Sequence, residues 1–412
     1  MKSLFYLFLL SWLSLSYSCC ELTGDCPPEP PDIDTTKKQD SLPYDIVWQT
    51  PLHPDTLFSV TTYVQPKIYM DKVIFDRRVR RSGSQEILAF NRHTGKLGWT
   101  WNDYFRKGRG LRAPPEYLEG KMFFTSSRGI FAIDLSKGTS LYRYELPDDY
   151  IGQVEVSAFN SKIFHSILHY DTLSILRMHD YITGDIREVF RVKKQKDKFK
   201  PDIYPPGCWL NQNDDTVLVF QSREYRPGPY GERSILYSYN LTRDSLMWTD
   251  TIAGVSSSIQ PPYIEEDRVY FLMSDSMLCI NKHTGEHIWV ARHDHRGGFL
   301  ISRFVVTEDM VYMYSTVGHL VGIEKTNGRK RFVKDIGAGG DDLAYYNGRV
   351  YTTDSDLLIV DGKSGKTLYT LSTHNYSKRT PGSFVNGVAI DGEKGVMYVS
   401  DGFYAMCLTL PK

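Results

Sequence analysis

The sequence predicts an all-β fold: an eight-bladed β-propeller of four-stranded antiparallel sheets, closed by the N-terminal strand pairing in the last blade. Three observations lead to this prediction. A turn motif recurs along the chain, an apolar strand precedes each copy of it, and an aromatic strand near the N-terminus supplies what the last copy lacks. Repeats of roughly 40 to 45 residues with four strands each are typical of propeller blades.

The motif is a polar turn that closes on glycine, as in "CINKHTGEHIW" (residues 279–289) and "AFNRHTGKLGW" (residues 89–99). Glycine suits this position because it adopts positive φ without a steric penalty, and aspartate tolerates the same region. The spacings between successive copies are 43, 46, 60, 41, 43 and 37 residues, which indicates a repeat architecture. The turn position holds Gly95, Gly138, Gly184, Asp244, Gly285, Gly328 and Gly365.

The flanking positions have the same register in each copy. Four residues before the turn position, six of seven residues are Asp or Asn, whose side chains can fix the turn by accepting its amides. They are Asn91, Asp134, Asp180, Asn240, Asn281 and Asp361, with Glu324 as the seventh. Six before it the residue is usually small, as in Ala89, Ala132, Ser238, Cys279 and Gly322. Four after it come Trp99, Tyr142, Trp248, Trp289, Phe332 and Tyr369, whereas Glu188 breaks the row.

Counting these units predicts how the ring closes. Seven complete units run from about residue 68 to residue 373, and "GVMYVSDGFYAMCLTL" then adds two strands of an eighth. The missing aromatic strand is "DIVWQTPL", in which Trp48 takes the tryptophan position. An open blade would expose a sheet edge. We therefore expect this strand to complete the last blade of a propeller that spans residues 44–412.

The N-terminal segment predicts export. "MKSLFYLFLLSWLSLSYSCC" has one lysine, an apolar run and small polar residues before a cysteine, a pattern typical of a secretion signal. The end of this stretch resembles a bacterial lipobox. Residues 1–18 are therefore predicted to be a signal peptide and Cys19 the acylated residue, with Cys20 or a plain cleaved signal as alternatives. The acidic, proline-rich residues 19–43 are predicted to form a tether.

The turn pattern resembles the repeat of pyrroloquinoline-quinone (PQQ) enzymes and their non-enzymatic relatives, over the whole mature chain. If the chain were such an enzyme, the resemblance implies that it would need a vicinal cysteine pair over the quinone and a tryptophan below it. It would also need carboxylate and asparagine ligands for Ca²⁺ and an aspartate base. The vicinal cysteines here are Cys19 and Cys20, which precede the propeller. We therefore predict no catalytic residue, no cofactor and no metal, with a PQQ-dependent oxidoreductase as the alternative.

Other motifs carry little chemistry. The histidines of "HDHR" (residues 293–296) lack a third ligand nearby in sequence, and "DIGAGGDD" (residues 335–342) precedes a strand, whereas a phosphate-binding loop precedes a helix. A G-x-S-x-G nucleophile motif is absent from the sequence. Cys279 and Cys407 occupy repeat positions, so they are predicted to be buried free thiols.

The long loops predict a binding surface. Turns of the motif point to one end of the ring, and the loops between second and third strands and between blades point to the other end, the loop face. Five long segments there (77–85, 102–115, 193–209, 223–233 and 374–382) carry 18 Lys or Arg against five Asp or Glu, a net charge of +13 in a chain of net charge zero. Tyrosine and arginine are enriched at interfaces. The predicted contact residues are Arg77, Arg78, Arg80, Arg81, Arg106, Lys107, Arg109, Arg112, Tyr225, Arg226 and Tyr230.

The most specific resemblance is to the propeller lipoprotein of the outer-membrane β-barrel assembly machinery, in length, lipid anchor and eight blades. It implies a monomeric, non-catalytic scaffold in the envelope of a diderm bacterium that docks a protein partner through propeller loops. The expected membrane contact is the lipid alone, and a nucleic-acid partner is not expected. The alternative is an acidic-glycan-binding propeller, in which the loop face binds an acidic glycan.

Overall fold

Strand patterns in the sequence become eight antiparallel sheets in the computed structural model. The residues that the structure describes are 44–53, 60–62, 64–79, 85–104, 111, 114–126, 129–147, 150–169, 173–193, 200–225, 232–253, 260–273, 276–292, 304–315, 318–337, 342–373 and 383–412. Within them the chain forms 34 strands and no helix. The predicted all-β, eight-bladed propeller of four-stranded blades is confirmed.

The first half of the ring is formed as follows. Strand β1 (Ile46–Pro51) precedes blade 1. Blade 1 contains β2 (Val60–Thr61), β3 (Lys67–Tyr69), β4 (Lys72–Val79), β5 (Gln85–Asn91) and β6 (Leu97–Trp101). Blade 2 contains β7 (Glu116–Leu118), β8 (Lys121–Ser126), β9 (Gly129–Asp134) and β10 (Thr139–Glu145). Blade 3 contains β11 (Tyr150–Phe159), β12 (Lys162–His169), β13 (Leu173–Asp180) and β14 (Ile186–Lys193). Blade 4 contains β15 (Lys200–Ile203), β16 (Gly207–Leu210), β17 (Thr216–Tyr225), β18 (Glu232–Asn240) and β19 (Ser245–Ala253).

The second half repeats this order. Blade 5 contains β20 (Tyr263–Glu265), β21 (Arg268–Leu272), β22 (Ser276–Asn281) and β23 (His287–Arg292). Blade 6 contains β24 (Val305–Val306), β25 (Met310–Tyr314), β26 (His319–Glu324) and β27 (Lys330–Asp335). Blade 7 contains β28 (Ala344–Tyr346), β29 (Arg349–Asp354), β30 (Asp356–Asp361) and β31 (Thr367–Leu371). Blade 8 contains β32 (Val385–Asp391), β33 (Val396–Ser400) and β34 (Tyr404–Thr409).

The N-terminal strand is the outer strand of blade 8. Strand β1 pairs antiparallel with β34, and Trp48 lies opposite Cys407. This is the pairing that the position of Trp48 predicts. On its other side the C-terminus meets blade 7, where the hydroxyl of Tyr369 donates to the carbonyl of Lys412 and Arg349 donates to that of Pro411 at 2.8 Å. The first and last described strands, β1 and β34, therefore lie side by side in blade 8.

Burial follows the position of a strand within its blade. The two middle strands are buried on both faces, as in β8 and β9, because neighbouring blades pack on each side. The outer strand β10 alternates between half-buried and exposed residues along its length. One apolar cluster joins Ile74, Ala89 and Trp101 of blade 1 to Phe124 and Phe131 of blade 2. Such clusters between blades form the core, as expected for a ring of repeats.

The turns have the predicted geometry. The Asn91 side-chain oxygen accepts the amides of His93 and Thr94 at 3.0 and 3.1 Å, which fixes the turn that Gly95 closes. Equivalent bonds to turn amides are made by Asp134, Asp180, Asn240, Asn281 and Asp361. All six turn glycines have positive φ, and so does Asp244 at 54°. The Asx and glycine positions of the motif are therefore structural.

The small residue of the motif lies across the strand pair from the aromatic residue. Phe332, for example, lies so close to Gly322 that a Cβ there would overlap its ring. The cross-strand pairs are Ala89–Trp99, Ala132–Tyr142, Ser238–Trp248, Cys279–Trp289, Gly322–Phe332 and Cys407–Trp48. A one-residue β-bulge beside each pair turns the ring toward the next blade. The sequence pattern did not predict this bulge.

Five junctions between neighbouring blades contain an aromatic ring that lies on a turn glycine, an arrangement that we call the ring–glycine contact. The ring belongs to the outer strand of one blade and the glycine to the turn of the next. A Cβ atom on each glycine would lie within 2.9 Å of the ring. The pairs are Trp48–Gly95, Trp99–Gly138, Trp248–Gly285, Trp289–Gly328 and Phe332–Gly365.

Each of these tryptophans also donates a hydrogen bond to the next blade. The acceptor is the carbonyl of the residue directly after the Asx or Glu position. The pairs are Trp48 with Arg92 (2.9 Å), Trp99 with Leu135 (3.2 Å), Trp248 with Lys282 (3.1 Å) and Trp289 with Lys325 (2.9 Å). Ring and hydrogen bond together set the register between blades.

Candidate functional site

The structure describes only part of the predicted basic surface. Two of its arginines, Arg77 and Arg78, lie in strand β4, where the sequence had placed a loop. The reason is the cross-strand register: Arg77 lies opposite Glu86 and Arg78 opposite Gln85, so favourable pairs extend the hairpin. The segment predicted over residues 193–209 is corrected in the same way, since it contains the inner strands β15 and β16 of blade 4.

Arg77 is held in place by its neighbours. Its Nε donates to the carboxylate of Glu86 at 2.6 Å, and a terminal nitrogen donates to the carbonyl of Leu52. Both side chains of this ion pair are 18% exposed. The charge of Arg77 is therefore compensated, and its role is to support the loop base.

The same device recurs in blade 4. Arg233 lies opposite Glu224 and donates to its carboxylate at 2.7 Å. Tyr225 ends the adjoining strand β17, opposite Glu232. Two of the predicted long loops thus leave the sheet from an Arg–Glu cross-strand pair, which fixes the directions in which they start.

The other predicted contact residues lie outside the described residues. They are Arg80, Arg81, Arg106, Lys107, Arg109, Arg112, Arg226 and Tyr230, and the lipidation candidate Cys19 lies outside them too, as does the "HDHR" segment. The basic surface and the anchor therefore remain predictions.

Blade 3 departs from the repeat on both of its sides. At its junction with blade 2, the hydroxyl of Tyr142 lies 3.0 Å from Nδ1 of His179. No described atom lies within 4 Å of the Cβ position of Gly184, the turn glycine that this ring would otherwise cover. The ring–glycine contact is thus absent from this junction in the described structure.

His179 is an unusual core residue. It is fully buried, and the rings of Tyr144 and His165 lie 4.9 and 6.4 Å from it, centroid to centroid. Burial, assisted by the charge of Arg177, lowers the pKa of His179 to about 4. Burial also raises the pKa of Tyr142 to about 12. His179 is therefore neutral at pH 7, as its burial requires, and the half-buried Tyr142 keeps its proton.

At the junction with blade 4, the aromatic position is displaced. Glu188 stands where the motif has tryptophan, and the register shift of strand β14 lies after it, at Val189. Phe190 consequently packs into blade 4, with its ring 5.1 Å from Phe220 and 4.9 Å from Tyr237, centroid to centroid. The sequence motif missed Phe190 because a fixed spacing cannot follow a displaced bulge.

A cavity of about 290 Å³ is lined by residues in or next to the first strands of blades 2 to 6. Its polar groups include Glu116, Ser157 and Gln260, and its rings include Tyr263 and Phe304. The hydroxyl of Ser157, a residue only 6% exposed, has no hydrogen-bond partner in the described structure.

The lining of this cavity does not fit a PQQ–calcium site. The described lining residues include one carboxylate, Glu116, and one cysteine, Cys208, and no tryptophan, asparagine or aspartate. Burial raises the pKa of the Cys208 thiol well above its ordinary value, so the thiolate is disfavoured. Elsewhere in the described chain no three His, Cys, Asp or Glu residues are grouped to hold a metal ion.

The other two described cysteines agree with the sequence prediction. Cys279 and Cys407 are buried and free, and burial raises the pKa of each thiol to about 11. The described residues contain no helix of the length and apolarity that a membrane span requires.

Comparison with known proteins supports the resemblance that the repeat indicates. Residues 231–389 match a family model described as outer membrane protein assembly factor BamB. No curated protein sequence matches the chain.

Solved structures share the fold at low sequence identity. BamB from Moraxella catarrhalis is 13% identical, with a TM-score of 0.57 over 89% of this chain and 100% of that one. A europium-containing methanol dehydrogenase is 10% identical, with a TM-score of 0.62 over 86% of this chain and 84% of its own. Quinohemoprotein alcohol dehydrogenase from Comamonas testosteroni is 8% identical, with a TM-score of 0.60 over 90% and 78%. The predicted resemblance to PQQ-like propellers is confirmed at the level of fold.

Proposed function

We propose that the chain is a non-catalytic scaffold of the bacterial cell envelope that binds a protein partner through its loop face. The observation that carries this proposal is the family-model match over residues 231–389, together with the propeller fold shared with BamB. A BamB-like propeller is a rigid support for loops, and loops on a rigid support commonly bind partners. Outer-membrane protein assembly is the process that the match favours.

The structure supports this role through the bases of the loops. Arg77 with Glu86 and Arg233 with Glu224 hold the first residues of two long segments in register. The chain segments that carry Arg80, Arg81 and Arg226 therefore begin at fixed points on blades 1 and 4. A cluster of cations on such loops is complementary to an acidic protein surface, which would speed association.

The proposed partner site is tested by crosslinking in native envelopes. A photo-crosslinking residue in place of Arg80 should capture one discrete protein, whereas the same residue in place of Lys363, which is exposed on the turn of blade 7, should not. The Arg78→Glu/Arg80→Glu variant should then bind the captured protein with slower association, and wild-type affinity should fall as salt rises. Equal capture from both positions, or an affinity independent of salt, would refute the basic loop face as the site.

The proposed membrane attachment has a separate test. Cys19→Ser should release the protein from the membrane fraction without changing its thermal unfolding, because the anchor lies outside the propeller. Cys20→Ser is the matched control and should leave the protein in the membrane. Retention of the Cys19→Ser variant would show that another residue or a partner is the anchor.

The alternative function is a quinone-dependent oxidoreductase, which the fold shared with the two alcohol dehydrogenases brings into consideration. Incubation of the full chain with PQQ and Ca²⁺, followed by gel filtration, distinguishes the two proposals. We expect no quinone absorbance to co-elute with the protein, because the cavity lining lacks the cysteine pair and the Ca²⁺ ligands. Stoichiometric quinone in the protein peak would favour the enzyme.

A further inference from the structure

The turn of blade 3 offers a vacant version of a contact that the same chain fills elsewhere. Five turn glycines are each covered by an aromatic ring from the preceding blade. Gly184 occupies the sixth equivalent position, with φ at 82°, and no described atom lies within 4 Å of its Cβ position. We call the surface formed by Tyr181, Ile182 and Gly184 the Gly184 site.

A hydrogen-bond acceptor accompanies the vacant surface. In the four tryptophan contacts, the ring N–H donates to the carbonyl of the residue after the Asx or Glu position. The corresponding residue in blade 3 is Tyr181, whose amide donates to Ser161 at 3.1 Å. None of the described residues donates to the Tyr181 carbonyl. The Gly184 site therefore has both the flat glycine surface and the acceptor of the filled contacts.

The residue beside the turn differs in the same direction. Ile182 is 72% exposed, the most exposed large apolar side chain among the described residues. The equivalent residues of the other six turns are polar: His93, Ser136, Thr242, His283, Thr326 and Lys363. An apolar side chain here extends the apolar surface that a ring would cover, and exposed apolar groups of this kind mark binding surfaces.

The chain's own aromatic residue is held away from this surface. Tyr142 stands at the position whose ring would cover Gly184, but its hydroxyl is bound at His179, inside the junction. The predicted tether, residues 19–43, contains no Phe, Trp or Tyr. Among the described residues no ring covers Gly184, so the site is open to a ring from another molecule.

We propose that the Gly184 site binds a tryptophan side chain carried by an extended segment of a protein partner. The four tryptophan contacts show the required chemistry, a flat ring on the glycine and one N–H donor to the adjacent carbonyl, whereas the Phe332–Gly365 contact has the ring alone. Tryptophan is the one side chain that combines a large apolar ring with such a ring N–H. The site lies on the turn end, opposite the loop face, so the proposal is independent of the proposed loop-face partner.

A peptide from the chain itself provides the probe. The sequence Ser-Leu-Met-Trp-Thr-Asp-Thr, residues 245–251, presents Trp248 in one of the filled contacts. We expect this peptide, labelled with 5-fluorotryptophan, to bind the full chain with a dissociation constant of about 0.1–1 mM, measured by ¹⁹F NMR titration. Replacing its tryptophan with phenylalanine should weaken binding about 2- to 10-fold, the loss of one neutral hydrogen bond. Replacement with alanine should abolish binding. Because neither variant peptide contains the fluorinated tryptophan, their binding is measured by competition with the labelled peptide.

Protein variants identify the site. Ile182→Asp should weaken binding at least about fivefold, because a charge at the rim disfavours apolar contact. The matched control is Ile288→Asp, since Ile288 is 41% exposed in a blade whose turn glycine, Gly285, is covered. It should bind the peptide as the wild type does. Arg78→Glu/Arg80→Glu should also leave peptide binding unchanged, which separates this test from that of the loop face.

The double variant Tyr142→Trp/His179→Ile gives a second test, because it restores the motif of the filled junctions and should cover Gly184 from within. Peptide binding should disappear while thermal unfolding stays cooperative. Three outcomes would each overturn the proposal. The peptide could bind both this variant and Ile182→Asp as it binds the wild type, or Ile288→Asp could weaken binding as much as Ile182→Asp does. The third is that the wild type does not bind at 5 mM peptide. If the double variant fails to fold, Ile182→Asp and its control decide the outcome.

Discussion

The junctions between blades 5 and 6 and between blades 2 and 3 come from the same repeat but are packed differently. In the first, Trp289 lies on Gly328 and donates to the carbonyl of Lys325 at 2.9 Å. In the second, Tyr142 turns inward to His179, and the glycine is uncovered in the described structure. The repeat therefore fixes the sheets of every blade, whereas each junction depends on which residues meet there.

The two junctions also differ in the polarity of their buried residues. At the 5/6 junction, Tyr270, Cys279, Trp289 and Val321 pack together as a largely apolar cluster. At the 2/3 junction, a neutral histidine is buried beside two tyrosines, so this interface depends on protonation. Substitutions in these residues should distinguish the two kinds of junction.

The largest expected effect is at the filled junction. Trp289→Ala should lower the free energy of unfolding by about 3–5 kcal/mol, as for large aromatic truncations in cores. Glu188→Ala, at the same motif position in blade 3, should change it by less than about 1 kcal/mol, because Glu188 makes an exposed pair with Arg191. Urea unfolding of both variants checks this. Similar losses for the two would show that the motif position, and not the ring, matters.

Acid should destabilise the 2/3 junction. The folded-state pKa of His179 is about 4 and lies below its unfolded value of 6.5, so unfolded chains bind more protons between these values. Its contribution is fully present above pH 6.5 and is lost as the pH falls toward 4, about 3 kcal/mol in all. The unfolding free energy of His179→Phe should fall less over this range. A parallel pH profile for the variant and the wild type would contradict this prediction.

Two glycine substitutions should isolate the ring–glycine contact. Gly138→Ala and Gly184→Ala share the backbone cost of positive φ, roughly 1 kcal/mol. At Gly138 the new methyl group also meets the ring of Trp99, which should add about 1–3 kcal/mol. Gly184→Ala should show the backbone cost alone. Chemical denaturation measures both, and equal losses would mean that the Trp99 ring can move aside freely.

The smallest effect should be a gain. The Tyr142→Trp/His179→Ile variant replaces a half-buried tyrosine and its buried histidine partner with the residues of a filled junction. We expect it to stabilise the fold by about 1 kcal/mol at pH 7, the scale of one hydrogen bond and a repaired contact. Differential scanning calorimetry measures the change, and a lower melting temperature would show that blade 2 cannot present the ring to Gly184.

Much of the fold could be predicted from the sequence because its signals are local. The Asn91 and Gly95 pair determines a turn within five residues, and the alternation of buried residues determines a strand. The role of the small position became clear only from the strand pairing of Cys279 with Trp289. The sequence did not predict the packing of Phe190, because the spacing of the motif residues does not reveal a bulge that is shifted by two residues.

The candidate site was harder to predict, because its features depend on contacts between side chains that the sequence does not show. A run of arginines indicated a basic loop, but the sequence could not show that Arg77 pairs with Glu86 nine residues later. Glycine at position 184 reads like the other turn glycines, and only the absence of a covering ring among the described residues distinguishes it.

By itself, the sequence determined the all-β class, the number of blades and the turns, since each depends on residues within one repeat. It also determined which strand could complete blade 8, because Trp48 carries the missing position of the motif. The tertiary structure decided which blades are joined by a ring on glycine, which arginine is neutralised, and where the cavity lies. The ring–glycine contacts depend on side chains that meet across blades, 30 to 50 residues apart in the chain, and the Arg77–Glu86 pair depends on the register of two strands, so packing and burial decide all of them.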